Sequence, residues 1–323
     1  EMSIAAENGL SFTGVPARRI RRLVSPDTLV SLLTLYRGYR RARTRIRSLK
    51  PSVVLGTGGY VAAAATLAAS SAGVPTVIHE QNAVAGRTNR WLARRCATVC
   101  VTYPVSTQDF AGSRVIVTGL PLRRALLTRT DRSEARRRFG IAESAFCLLV
   151  LGGSQGAAAL NKVVAEVLGE LGDGTAVIHQ TGSGHLPSVP EGVRCHYKPL
   201  EFLDTQQLAA AYSAADLVLC RCGASTLAEV AAYGLPSLLV PYPLAYADHQ
   251  TANARAAAES GAGILIPQNT LSAERLLSDI ESLSKEPDRL GSMAEASARL
   301  ARPDAAWAVA QEMLRCAAER SNA

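Results

Sequence analysis

Aromatic residues make up only 5% of this 323-residue chain and are not interleaved with its basic segments. The stacking platforms that hold single-stranded nucleic acid are therefore missing, and no nucleic-acid partner is expected. Long apolar runs are absent as well. The best stretch, 61–72, is short and dominated by Ala, Ser and Thr, so it reads as a packed helix and not a membrane span. The opening Glu1-Met2-Ser3-Ile4 shows no basic start and no apolar core, so no signal peptide is expected. The seven cysteines include no C-x-x-C pair and lie mostly in apolar, strand-like runs. That pattern points to reduced structural thiols in a cytoplasm, not to zinc or disulfides. Asp248 and His249 are adjacent but lack further ligands at a suitable spacing, so no metal or other cofactor is expected.

What the chain does have is two glycine-rich turns, each between an apolar β-type run and an Ala-rich helical run. The first is Gly56-Thr57-Gly58-Gly59-Tyr60, the second Gly152-Gly153-Ser154-Gln155-Gly156. Glycine permits the sharp turn and the close approach of a ligand. The helix that follows aims free N–H groups and a positive dipole end at that ligand, commonly a phosphate. Two such turns suggest two Rossmann-like halves facing across a cleft.

The rest of the pattern agrees. Strands are predicted at 52–55, 76–79, 98–101 and 115–118, with helices near 60–72 and 86–95. A second series follows at 146–151, 176–180, 193–197, 217–220, 237–240 and 264–266, with helices near 157–168, 206–214, 225–233, 249–260 and 272–285. Continuous apolar runs of this length fit parallel strands buried on both faces. The expected fold class is thus α/β, with one domain over 1–122 and a second over 123–303. The basic stretch 123–138 serves as linker and first helix of the second half, and a last helix in 304–323 packs back on the first domain. The front is abnormal. Residues 1–24 offer at most one strand, around 9–16, where a doubly wound domain normally opens with its central strand. The first residue is Glu1, so a missing N-terminal segment and an incomplete, unstable first domain are expected.

The net charge of +8 is uneven: seven basic residues and no acidic one lie between Arg37 and Lys50. Leu29, Leu32, Leu33 and Tyr36 precede them at helical spacing. Such a basic amphipathic helix suits an anionic membrane surface; it equally describes a surface helix whose apolar face lies in the core.

Several residues carry candidate chemistry. Glu229 follows Ser225 and Thr226, either of which can cap a helix, and lies near the carboxyl end of a strand. It reads as a capping carboxylate, or as one that accepts two hydrogen bonds from the vicinal hydroxyls of a ribose. Gln250 and Asn253 share one helical face and can each donate and accept, as sugar hydroxyls require. His79 and Glu80 invite an acid–base role, although a histidine ending an apolar strand is more often structural.

The runs Gly-Thr-Gly-Gly-Tyr at 56–60, His79-Glu80-Gln81-Asn82, Gly-Gly-Ser-Gln-Gly-Ala from 152, His-Gln-Thr-Gly at 179–182, Cys220-Arg221-Cys222-Gly223-Ala224 and Asp248-His249-Gln250 with Asn253-Ala254 resemble the MurG family. These are the bacterial UDP-N-acetylglucosamine:lipid I N-acetylglucosaminyltransferases of the GT-B fold. The resemblance implies inverting transfer of N-acetylglucosamine from UDP-N-acetylglucosamine to the 4-hydroxyl of a lipid-linked muramyl acceptor, on the cytoplasmic face of the plasma membrane, without a metal. It implies donor contacts from Asn82, Arg123, Ser154, Gln155, Leu203 (by its backbone, to the uracil), Ala224, Ser225, Thr226, Leu227, Glu229, Gln250 and Asn253. Acceptor-side candidates are Gly58, Gly59, Tyr60, His79 and Glu80. The family's first glycine loop, with its catalytic histidine, is not found, and Leu120 stands where the family usually has Asn before Pro. Three other readings stay open: a nicotinamide-dependent oxidoreductase, suggested by Gly56-x-Gly58 with Glu80 downstream; a UDP-sugar epimerase of the same fold; and a UDP-sugar-binding fragment without activity.

Overall fold

The computed structural model describes residues 2–18, 26–153, 155–187, 189 and 191–321, with the side chains at 3, 26–29, 60 and 321 left aside. The chain divides into two units. One takes residues up to Gln81, Ala85–Thr118 and the chain from Trp307 on; the other takes Asn82–Val84 and Gly119–Ala306.

The first unit holds helices α1 (Met2–Glu7), α2 (Pro26–Leu49), α3 (Gly59–Ser71) and α4 (Arg87–Ala93). Its strands are β1 (Val54–Gly56), β2 (Thr76–Glu80), β3 (Thr98–Val101) and β4 (Val115–Val117), all parallel and ordered β1-β2-β3-β4. Alternation along the strands splits the core. Ile78, Val99 and Val101 pack with Ala63 and Leu92 on one side; Val77 and Cys100 meet Val309 and Cys316 of the last helix on the other. The segment 9–16, where at most one strand was expected, forms none. The chain makes helix α1 first, then runs without regular structure, with the Pro16 carbonyl lying where a Cβ on Gly38 of α2 would come within 2.3 Å.

The second unit is larger. Short helices α5 (Arg124–Leu127) and α6 (Arg132–Phe139) lead into β5 (Phe146–Leu151), α7 (Ala158–Val167), β6 (Thr175–Gln180) and β7 (His196–Leu200). Then come α8 (Thr205–Ala214), β8 (Leu217–Cys220), α9 (Ala224–Tyr233), β9 (Ser237–Leu239), α10 (His249–Glu259) and β10 (Gly263–Leu265). Helices α11 (Ala273–Lys285) and α12 (Pro287–Leu300) complete this unit, and α13 (Ala305–Ser321) belongs from Trp307 on to the first. The six strands are parallel, in the order β10-β9-β8-β5-β6-β7. Even positions of β5 (Leu148, Val150) pack under α7 and α11, and odd ones (Cys147, Leu149, Leu151) under α8 and α9.

One strand is displaced from its expected place. Val193, Cys195 and Tyr197 do pack on the core, which is why 193–197 reads as strand. The ladder itself begins only at His196, paired with Ala176, and runs to Leu200. This is an edge strand, so Pro199 is tolerated there.

Candidate functional site

In the second unit β5 and β8 lie side by side, with Leu151 opposite Cys220 at their carboxyl ends. From β5 the chain proceeds to β6 on one side, while β8 and β9 extend the sheet on the other. This is the switch point of an open α/β sheet, where diverging loops leave a crevice for a ligand. Two loops border it: 152–156 after β5 and 221–223 after β8.

The first loop is built by backbone contact. A Cβ on Gly156 (φ +75°) would fall 2.2 Å from the Thr181 carbonyl oxygen, and one on Gly182 (φ +92°) 2.5 Å from the Gly156 Cα. The 181–182 backbone thus seats the loop directly. Gln180 Nε2 donates to the Gly153 carbonyl at 3.2 Å. Gln155 is exposed at the tip. Ser154 lies outside the described residues. Behind the loop His179 is fully buried, its Nδ1 2.9 Å from the Tyr197 hydroxyl and its Nε2 3.1 Å from Asn161 Oδ1. Burial pulls its pKa down to about 4, so it is neutral and structural.

The second loop opens α9. Gly223, not Ser225 or Thr226, is the N-cap residue, and no side chain caps the first turn. The N–H groups of Ala224, Ser225 and Thr226 have no partner within the helix, which is the arrangement a diphosphate needs. The Leu227 side chain belongs to the core, as does that of Leu203. Glu229 sits in the second turn of α9, too far along to cap it, and is only 8% exposed. Its Oε2 accepts from the Tyr212 hydroxyl at 2.9 Å. Its Oε1 is 3.8 Å from Arg123 Nη2, and Arg123 Nη1 donates to Thr205 Oγ1 at 2.7 Å. Burial raises the Glu229 pKa; the Tyr212 bond and the Arg123 charge hold it down.

Gln250 and Asn253 share a face of α10, but that face is turned to the protein's own backbone. Asn253 is fully buried: Oδ1 accepts from Ala83 N at 2.8 Å, and Nδ2 donates to the Cys222 carbonyl at 3.1 Å and to Asn82 Oδ1 at 3.2 Å. Gln250 Oε1 accepts from Cys222 N at 3.1 Å and Tyr242 N at 2.9 Å. The two side chains therefore hold the Cys222 backbone, Gln250 at its N–H and Asn253 at its carbonyl, and fix the turn into α9. Asn253 is committed to this task, whereas the Gln250 NH₂ group is used by no described residue. Arg221 is a further fastening that went unassigned in the sequence. Its Nη1 donates to the Val240 and Pro241 carbonyls at 3.2 Å, and its Nη2 to Gln268 Oε1 at 2.6 Å. Its only sequence signal is its place inside the Cys-Arg-Cys-Gly-Ala run.

In the first unit Gly58 and Gly59 adopt φ of +87° and +73° and bring the chain from β1 into α3. A Cβ on Gly58 would crowd Asn89 and Gln81. Tyr60 is placed by its backbone, at the second position of α3. His79 and Glu80 end β2 and are buried. Glu80 Oε2 accepts from Gly86 N at 2.9 Å and Asn89 Nδ2 at 2.8 Å, which fastens the following loop. Asn89 Oδ1 is buried without a partner among the described residues.

Residues 147–309 match the glycosyltransferase family 28 C-terminal domain, and residues 1–101 the N-terminal domain of the same family. A UDP-N-acetylglucosamine–N-acetylmuramyl-(pentapeptide) pyrophosphoryl-undecaprenol N-acetylglucosamine transferase of Desulforudis audaxviator is 41% identical, over 94% of this chain and 84% of its own. The crystal structure of Acinetobacter baumannii MurG superposes with a TM-score of 0.76 at 30% identity, covering 97% of this chain and 88% of that one. A UDP-GlcNAc 2-epimerase from Neisseria meningitidis superposes at 0.63 with 15% identity, covering 91% and 84% of the two chains; that likeness is one of fold alone.

Proposed function

The chain belongs to glycosyltransferase family 28, and from that premise we propose that it moves N-acetylglucosamine from UDP-N-acetylglucosamine to lipid I, giving lipid II for peptidoglycan synthesis. The 4-hydroxyl of the muramyl sugar attacks the anomeric carbon, and UDP leaves with inversion. Negative charge grows on the diphosphate as that bond breaks. Fixed N–H dipoles at the leaving group lower the barrier because they need no reorganisation.

The observation that carries this reading is the pairing, at one switch point, of an uncapped helix start with a buried carboxylate. The open N–H groups of 224–226 and the 152–156 loop suit the diphosphate. Glu229 suits the ribose diol, with Arg123 beside it. Ser154, Gln155, the Leu203 backbone, Asn82 and the Gln250 amide complete the proposed donor site. Gly58, Gly59, Tyr60, His79 and Glu80 are the proposed acceptor side, with His79 and Glu80 acting through the loop they hold. We assign the second unit to the donor and the first to the lipid-linked acceptor.

A lipid-linked acceptor brings the enzyme to an anionic membrane surface, at the cytoplasmic face of the plasma membrane in this proposal. No helix among the described residues is long and apolar enough to cross a membrane. Helix α2 instead exposes Leu32, Leu33 and Tyr36 beside exposed Arg37, Arg40 and Arg41.

Calorimetry tests the donor site and a transfer assay the reaction. UDP and UDP-N-acetylglucosamine are expected to bind and NAD not to bind. Glu229→Ala is expected to weaken UDP about 10- to 100-fold, the range for losing hydrogen bonds to a charged group. Radiolabel from the donor is expected to appear in lipid II. Accumulation of a 2-epimerised UDP-sugar without acceptor would favour the epimerase; NAD binding would favour the oxidoreductase.

A further inference from the structure

Helix α8 makes two polar contacts of unusual placement. Thr205, its first residue, accepts from Arg123 Nη1 at 2.7 Å. Tyr212, seven residues later on the same face, donates to Glu229 Oε2 at 2.9 Å. One helix face thus touches both members of the Arg123–Glu229 pair. The helix is itself fixed. A capping box holds its start, Asp204 accepting from Gln206 and Gln207 N at 2.8 and 2.9 Å while Gln207 Oε1 accepts from Asp204 N at 3.0 Å. Near its end the Tyr212 ring stacks on Tyr233 with centroids 5.0 Å apart, and the Tyr233 hydroxyl donates to the Leu126 carbonyl at 2.8 Å.

A buried carboxylate with a lone ion-pair contact at 3.8 Å is poorly defined in rotation. It offers about four acceptor sites, and a ribose diol needs two of them aimed together. Fixing one oxygen from behind settles which way the others face. We propose that Tyr212 and Thr205 are positioning residues for the donor: Tyr212 sets the rotation of the Glu229 carboxylate, and Thr205 sets the Arg123 guanidinium beside it. The proposal rests on the ribose role given to Glu229 above.

A pH signature follows. Burial pushes the Glu229 carboxyl up, and the Tyr212 hydroxyl and Arg123 pull it down. Tyr212 is held protonated, its own pKa pushed well up by burial and by the Glu229 charge, so it remains a donor. The groups around the carboxylate are Tyr212 from α8, Arg123 ahead of α5, itself held by Thr205, and Tyr233 on α9 with the Arg129 guanidinium 5.4 Å over its ring. Removing the Tyr212 hydroxyl leaves burial less opposed, so the carboxylate protonates at higher pH. Since the ionised form accepts the diol, the acidic limb of kcat/KM moves to higher pH.

The test compares the whole chain with Tyr212→Phe, Thr205→Val and Thr205→Ser. Transfer to lipid I is followed over about pH 5 to 9, with UDP binding measured in parallel. Tyr212→Phe keeps the ring stack, and its thermal midpoint reports whether the fold is intact. The expected result is a rise of about tenfold in KM for UDP-N-acetylglucosamine, equal to about 1.4 kcal/mol, with kcat within about twofold and the acidic limb shifted upward. Thr205→Val raises KM and moves that limb by less than Tyr212→Phe does, since the Arg123 charge is the smaller of the two pulls on the carboxylate, and Thr205→Ser restores both. An unchanged KM and limb in Tyr212→Phe, where the parent binds UDP, overturns the positioning role alone. Should Tyr212→Phe fail to fold, Thr205→Val with unaltered KM overturns it. A parent that binds no UDP overturns the donor-site reading on which it stands.

Discussion

Asn253 has no exposed surface and makes three hydrogen bonds, two of them to the backbone at Ala83 and Cys222. Cutting it to alanine leaves the Ala83 N–H and the Cys222 carbonyl buried and unpaired. Each such group costs about 1–3 kcal/mol, so Asn253→Ala is expected to lose about 2–5 kcal/mol in urea unfolding of the second unit. Asn253→Asp does not rescue it, because an ionised carboxylate faces the Cys222 carbonyl where a donor is required. Gln250→Ala is expected to cost less, since water reaches that partly exposed side chain and can replace its bonds to Cys222 N and Tyr242 N. Equal losses in the two variants would contradict the assignment of Asn253 as the deeper fastening.

At the level of elements, the second glycine loop depends on backbone meeting backbone. Gly156 and Gly153 both have positive φ, +75° and +84°, but only Gly156 is crowded. Around Gly153 a Cβ finds open space. Gly153→Ala therefore carries only the left-handed backbone cost of about 1–2 kcal/mol. Gly156→Ala adds a clash with the Thr181 carbonyl that only a shift of the loop relieves. Its thermal midpoint and its UDP affinity are expected to fall well below those of Gly153→Ala; parity would mean that 181–182 does not seat the loop.

The same elements show what the sequence disclosed. Strands β3, β5 and β8 lie where they were predicted because a strand buried on both faces is a continuous apolar run, with no periodicity to misread. Edge strand β7 carries His196, Lys198 and Pro199, so its signal came from the apolar residues just before it. The motif residues Arg123 and Glu229 were visible; Thr205 and Tyr212, which touch them, were not. The contacts join positions 82 and 17 residues apart, and no local pattern encodes which helix face meets which. Asn253 marks the same boundary. Its residue type suggested a sugar, but its partners 170 and 31 residues away make it a fastening.

For the whole molecule, helix α2 sets a run of arginines, Arg37, Arg40, Arg41, Arg43, Arg45 and Arg47, directly after an apolar segment. Helix α2 meets α3 through Gly38, Ala42 and Ile46; a Cβ on Gly38 would come within 3.4 Å of the Ala64 Cβ. Gly38 and Ala42 let the helices approach, Leu35, Tyr39 and Ile46 pack on the core, and Leu32, Leu33 and Tyr36 are left outside, each about half exposed. So the face at 32, 33 and 36 is not spent on the core, while Leu29 falls among the side chains left aside. Exposed apolar groups next to arginines suit an anionic bilayer, where each basic residue adds about 1 kcal/mol within a Debye length. Sedimentation with vesicles is expected to show binding that grows with phosphatidylglycerol content, vanishes for pure phosphatidylcholine, and falls as salt rises. Arg37→Glu with Arg40→Glu is expected to weaken it at least about tenfold, with UDP affinity unchanged because the proposed donor residues lie in the other unit. Leu33→Asp is expected to weaken binding even at low salt, through lost apolar burial. If the charge reversals leave vesicle binding intact, the membrane is met by another surface, and the basic helix is a solvated face and nothing more.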